Sequence, residues 1–163
     1  MLNILLERRS IRKYKDIKIE EQKINQILGA GKVAPSGKNK KPWEFMLIED
    51  NEVLKELSMV KPKGGLFLAE APTAIVVIGN EEIADTWIED CTTASTFIQL
   101  EARHQGLGSC WVQIRNRYTK DGGDAEKAAK EILEIPTNKR LLCIIALGYP
   151  DQERPAYKEE DLL

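Results

Sequence analysis

The chain has 163 residues, 42% of them apolar and 31% charged, with a net charge of −2. This suits a single domain over 1–163 with its own core, and it excludes a disordered chain, a small scaffold held by staples and a polybasic binder of nucleic acid or membrane surfaces. The three cysteines, Cys91, Cys110 and Cys143, are widely spaced among apolar neighbours, which predicts buried thiols rather than a disulfide framework or a metal site.

A short helix is expected over 2–8. A stronger one covers 20–32, where Ile24, Ile27 and Leu28 keep helical spacing and Gly29 and Gly31 fray the end. Residues 33–43 form a loop rich in Pro, Ser, Gly, Asn and Lys. A strand follows at 44–49, then a helix over 52–60 capped by Asp50 or Asn51, then a Lys/Pro/Gly loop at 61–65. The run Ala74-Ile75-Val76-Val77-Ile78 marks a buried strand within 72–79. A long helix is expected at 83–105, a strand at 109–114, a helix at 124–133 and an apolar strand at 141–147. The tail 151–163 is polar and carries no pattern. Irregular alternation of helices and strands points to a layered α+β or α/β domain.

The long helix has no charged residue from Cys91 to Leu100. Trp87, Ile88, Cys91, Ala94, Ile98 and Ala102 form one stripe, and Phe97 and Leu100 lie off it. A surface helix keeps a charged face, so this one is expected to be covered on most sides. Two arrangements satisfy that: a central core helix in a monomer, or a helix packed against a partner subunit.

Several motifs fail on context. Gly29-Ala30-Gly31-Lys32-Val33-Ala34 matches a dinucleotide fingerprint, but a helix precedes it and Pro35 follows it, where a strand and a helix are required. Gly37-Lys38 resembles the end of a phosphate loop without its Ser or Thr. His104 is the single histidine, which argues against a histidine-based zinc site and a Ser-His-Asp triad. The first residues run straight into Glu7, Arg8 and Arg9, unlike a secretory leader, and no apolar run reaches the ~20 residues of a membrane span. The expected setting is the cytoplasm.

Four elements carry chemistry. Arg8-Arg9-Ser10-Ile11-Arg12 places three guanidiniums and a hydroxyl in five positions, suited to a phosphate monoester because the arginine fork matches phosphate oxygens. Pro35-Ser36-Gly37-Lys38-Asn39-Lys40-Lys41-Pro42-Trp43 offers hydroxyl, amide, backbone donors and lysines on a loop. Gly106-Leu107-Gly108-Ser109-Cys110-Trp111-Val112-Gln113-Ile114 has two glycines that permit close approach of a planar ligand. Leu147-Gly148-Tyr149-Pro150, followed by Lys158, is the fourth. Each alone also reads as ordinary structure: a solvated helix end, a connection, a capped helix leading into a core strand.

In this order and spacing the four resemble the nitroreductase family of flavoproteins over nearly the whole chain. The resemblance implies an α+β fold, with a central, mostly antiparallel sheet flanked by helices, and a domain-sharing homodimer with FMN at the subunit interface. It implies that Arg8 and Ser10 meet the FMN phosphate and ribityl chain, with Arg9 close by in the cofactor site, and that Lys158 is a second phosphate cation. Arg12 would lie at the pyrimidine edge of the ring, where positive charge favours the reduced cofactor. Pro35, Ser36, Gly37, Asn39 and Lys41 would approach from the other subunit, and Gln113 and Ile114 would supply the backbone donor to flavin N5. No catalytic side chain is implied. NADH or NADPH would give hydride to the flavin, and a nitroaromatic, a quinone or a similar small acceptor would then take it, in ping-pong order. A non-enzymatic FMN carrier or sensor, and a specialised dehalogenase or flavin-fragmenting relative, share these elements. Lys41 departs from the glutamine usual in the family, the tail is short, and the compact 61–65 segment suggests an open flavin.

Overall fold

Alternating side chains decide the architecture. In the computed structural model, which describes residues 2–162, four strands form one sheet: β1 (Trp43–Ile48), β2 (Thr73–Gly79), β3 (Gly108–Gln113) and β4 (Arg140–Gly148). Their order is β1-β2-β4-β3, and every neighbouring pair is antiparallel. A parallel bridge from Ser10 to Ser109 extends the β3 edge. The expected α+β class and mostly antiparallel sheet are therefore present. Met1 and Leu163, the ends of the expected domain, lie outside the described residues.

Both faces of the sheet are covered. Ala74, Val76 and Ile78 of β2 point with Ile144 and Ala146 of β4 toward α3 (Asn51–Val60), and α6 (Ala125–Ile132) packs on the same side. Ile75 and Val77 point with Cys143, Ile145 and Leu147 toward α2 (Glu21–Lys32) and α5 (Trp87–His104). This is why β2 and β4 read as unbroken apolar runs: a strand buried on both faces has no solvent side to mark with polar residues. A bulge between Val77 and Ile78 leaves Leu142 outside the register, because Val77 faces Cys143 while Ile78 faces Leu141.

Helix ends follow local chemistry. Asp50 caps α3 by accepting from the Glu52 and Val53 amides, and Asp124 caps α6 through Glu126 and Lys127. The first helix, α1 (Leu2–Glu7), is short and lies against α5. The long helix starts at Trp87 rather than at 83, because Asn80 Oδ1 accepts from Glu82 N (2.9 Å) and makes a local turn of that stretch. The expected loop at 61–65 contains a single helical turn, α4 (Pro62–Gly65), broken at Gly64, whose φ is +85°. The tail is more ordered than its composition suggests. Tyr157 N donates to Leu6 O (2.9 Å), and a 3₁₀ turn covers Glu159–Leu162. Among the described residues, no helix is long and apolar enough to cross a membrane.

Candidate functional site

The segment after α1 is laid along the sheet edge by backbone bonds. Ile11 N donates to Ser109 O (3.0 Å), Lys15 N to Tyr149 O (2.9 Å) and Asp151 N to Lys13 O (2.9 Å). Gly108 and Gly148 are what let it lie so close: an added Cβ would stand 2.7 Å from Ile11 Cβ at Gly108 and 2.7 Å from Tyr14 Cδ1 at Gly148. The glycines at the start of β3 and the end of β4 thus serve the arginine segment that rests on them.

The tail crosses this segment as a strap. Arg9 donates to the Pro155 carbonyl, and its guanidinium lies 4.5 Å from the centre of the Tyr157 ring. Arg12 N donates to Gln152 Oε1 (2.8 Å). Arg8, Arg9, Ser10, Arg12, Arg154 and Tyr157 then line a cavity of about 180 Å³ with no carboxylate in its wall. An adjoining cavity of about 520 Å³ runs past Arg12, Phe67, Gln152 and Arg154, with Glu70 at its rim. Arg8, Arg12 and Arg154 form no ion pair among the described residues. Guanidiniums gathered without counter-charge fit a small dianion such as a phosphate monoester.

The tail cations are placed differently along the strap. Lys158 is exposed and its ammonium is held by Glu160 (3.0 Å), so it does not line the arginine cavity. Arg154 stands there instead. Sequence spacing missed it because the strap's path is set by Arg9 and Leu6, far away in the chain; the signal was a second tail cation four residues nearer the Gly148-Tyr149-Pro150 end.

Beneath the cluster is the buried Cys110. Burial pushes its thiol pKa up, while Arg12, Ser10, Arg8 and Lys61 pull in the opposite direction. The thiol therefore stays protonated beside cations from two segments of chain. Farther along, Trp111 Nε1 donates to Gln113 Oε1 (2.9 Å), and Gln113 Nε2 to Arg115 O (2.8 Å). Ile114 is buried. Its N–H donates to Leu142 O (3.3 Å), which also accepts from Arg115 N (3.1 Å). The Ile114 amide thus has a partner within the fold.

The loop holding Pro35, Ser36, Gly37, Asn39 and Lys41 is built at the other end of α5. Asp90, buried near the start of that helix, accepts from Gly37 N (2.8 Å) and from Thr86 Oγ1 (3.0 Å). Ser36 Oγ accepts from Lys41 N (2.9 Å), and Asn39 N donates to Ser36 O (3.0 Å). Lys38, Asn39 and Lys41 have positive φ of 52°, 55° and 48°. Side chains are strained there, so these contacts hold a shape the free chain would avoid.

The opposite end of α5 carries Arg103, which pairs with Glu7 (2.7 Å), next to Arg8. Thirteen helical steps separate Asp90 from Arg103, about 20 Å of rise. Within one chain, the loop and the arginine cavity therefore lie at opposite ends of a helix. Between them Thr92 and Thr96 are exposed, and Phe97 is 37% exposed. The hydroxyls of Thr92, Thr93 and Thr96 donate back to Ile88 O (2.7 Å), Glu89 O (2.9 Å) and Thr92 O (3.0 Å). With their hydrogens spent on the helix, these side chains present methyl groups outward.

Known proteins place the chain. The family model described as "Nitroreductase family" matches residues 5–63 and 60–149. The solved structure of an FMN-dependent nitroreductase from Clostridium difficile R20291 is 47% identical and superposes with a TM-score of 0.94, covering 99% of this chain and 94% of its own. A protein of Archaeoglobus fulgidus, provisionally named an NADH dehydrogenase/NAD(P)H nitroreductase, is 37% identical over 164 residues, covering 98% of this chain and 91% of its own length. A structure from Desulfovibrio desulfuricans, provisionally called a nitroreductase and solved in complex with FMN, is 26% identical with a TM-score of 0.78 over 99% of this chain and 94% of its own. With its sheet, its arginine segment and these matches in accord, the chain belongs to the nitroreductase family.

Proposed function

We propose that this protein is an FMN-dependent oxidoreductase that passes electrons from NADH or NADPH to small organic acceptors such as nitroaromatics and quinones, in ping-pong order. The observation that carries the reading is the arginine cavity, an uncompensated set of forks sized for a phosphate monoester. Arg8, Ser10 and Arg154 would hold the phosphate. Arg9 braces the strap through Pro155 and Tyr157. Arg12, exposed and without a carboxylate partner, would stand at the pyrimidine edge of the ring. FMN, once bound, supplies the atom that accepts and gives hydride, its N5.

The chain's own residues position, cover and exclude. The segment between α3 and the next turn is only the four residues Pro62–Gly65, too short to add a roof, so donor and acceptor would use the same flavin face in turn. The separation along α5 supports a homodimer. Two copies packed antiparallel through Thr92, Thr96 and Phe97 would bring the Pro35–Lys41 loop of one to the arginine cavity of the other. A two-fold contact does this twice with one surface.

Thr96→Lys tests the shared site. The side chain is exposed, so the subunit is expected to fold, while two lysines facing each other across the axis would oppose association. The expected outcome is a monomer in sedimentation that has also lost its FMN. A monomer that keeps FMN with wild-type affinity would reject a site shared between subunits.

A further inference from the structure

The tail strap crosses a hollow. It is tied to the fold at both ends, where Asp151 N donates to Lys13 O (2.9 Å) and Tyr157 N donates to Leu6 O (2.9 Å). Between these ties it borders a cavity of about 560 Å³, with Ile11, Leu107 and Gly108 in one part of the wall and residues 152–156 in another. No residue from Asp151 to Asp161 is buried, and Gln152 alone among them is half-buried. A segment that buries so little apolar surface and hangs on a few exposed hydrogen bonds belongs to the low-stability end of a fold.

Arg154 stands at the middle of this span and lines both the larger cavity and the arginine cavity. The two differ in charge. Glu7 and Glu153 line the larger one, while no carboxylate lines the smaller, where Arg154 meets Arg8, Arg9 and Arg12. Without an anion in the smaller cavity, like charge pushes Arg154 out and the carboxylates of the larger cavity draw it away. Against this stand the Arg9 bond to the Pro155 carbonyl and the Arg9 guanidinium 4.5 Å from the centre of the Tyr157 ring, both exposed contacts of modest strength. A dianion between Arg8 and Arg154 reverses the balance, because it turns repulsion into two charge-assisted pairs.

We propose that the strap is a clasp fastened by phosphate: it closes over the arginine segment when a phosphate monoester lies between Arg8 and Arg154, and lets go when none does. The proposal rests on the flavin reading above for the identity of the monoester, FMN. The phosphate, and not the ring, is then what orders the tail, and the tail in turn slows the escape of the cofactor.

The test reads hydrogen exchange at the Asp151 and Tyr157 amides in phosphate-free buffer. Apoprotein is compared with the same protein given FMN, riboflavin (the same ring without phosphate) or inorganic phosphate against chloride at equal ionic strength. FMN is expected to slow both amides about tenfold, the worth of one charge-assisted contact. Riboflavin should leave them as in the apoprotein, and inorganic phosphate should slow them in part. The Leu133 amide, which donates to Ala129 O (3.1 Å) at the end of α6, should exchange alike throughout. In Arg154→Gln, FMN should still bind through Arg8 but no longer slow Tyr157. Lys158→Gln, whose ammonium is paired with Glu160 outside the cavity, should keep the full effect. Exchange left unchanged in a protein that has turned yellow with FMN, a slowing that riboflavin matches, or one that persists in Arg154→Gln would overturn the clasp. A protein that takes up no FMN would instead remove the flavin reading, and the clasp would then stand or fall on inorganic phosphate alone.

Discussion

Arg8→Ala is expected to raise the FMN dissociation constant about a hundredfold, the loss of two charge-assisted bonds to a phosphate. The thermal midpoint should move by no more than about 2 °C. The asymmetry follows from where Arg8 stands. It lines the cavity, makes no ion pair among the described residues, and its backbone N–H bond to Ile4 O does not depend on the side chain. Nothing in the fold leans on the guanidinium, so its loss should be felt by the ligand. Arg8→Lys should recover part of the affinity, because an ammonium keeps the charge but not the planar fork. Fluorescence titration of FMN into apoprotein reads the constant. An Arg8→Ala protein that binds FMN like the parent would move the phosphate to another site.

The opposite pattern is expected at Glu126. This carboxylate is only 10% exposed and grips Arg140 with both oxygens, Oε1 to Nε at 2.8 Å and Oε2 to Nη2 at 3.1 Å. Oε1 also accepts from Leu141 N (2.9 Å), at the start of the central strand β4. The pair raises the Arg140 pKa further above its already high ordinary value. Glu126→Ala would leave the Leu141 amide without its partner and Arg140 with Glu81 alone (2.7 Å). Breaking a buried pair from one side costs about 3 kcal/mol. In a domain of this size that is about 6–12 °C in Tm. FMN affinity should be unchanged, because the pair lies on the α6 side of the sheet and lines no part of the arginine cavity. A calorimetric shift below about 2 °C would mean that Arg140 is held adequately by Glu81. For contrast, the exposed Lys55–Glu52 pair sits in full solvent and should contribute little.

What the sequence made legible was what local patterns determine. The apolar runs of β2 and β4 and the helical spacing of Ile24, Ile27 and Leu28 were sufficient to place those elements. Asp50, one of the two expected caps, bounds α3, and α6 begins beside the expected 124. The uncharged stretch of α5 was readable as a helix needing cover, and its exposed methyl face agrees with that. What was not legible depends on contacts between distant residues. The strap 151–158 has no periodicity of its own. It is ordered by Leu6, Arg9 and Arg12, and that ordering brings Arg154 to the cavity while Lys158 turns to Glu160. The positive φ of Lys38, Asn39 and Lys41 is equally invisible in sequence, since the loop is anchored in part by Asp90, about fifty positions away, through Gly37.

The central claim is that the arginine cavity holds the phosphate of an FMN that a nicotinamide cofactor can reduce. The direct measurement is the visible absorption spectrum of the purified protein, with FMN added if needed, before and after NADH under nitrogen, followed by NADPH. The account predicts a flavin spectrum that one of these donors bleaches and that a nitroaromatic or quinone acceptor restores. A protein that remains colourless after incubation with FMN would contradict it at the binding step. A yellow protein left unbleached by both donors would contradict it at electron transfer.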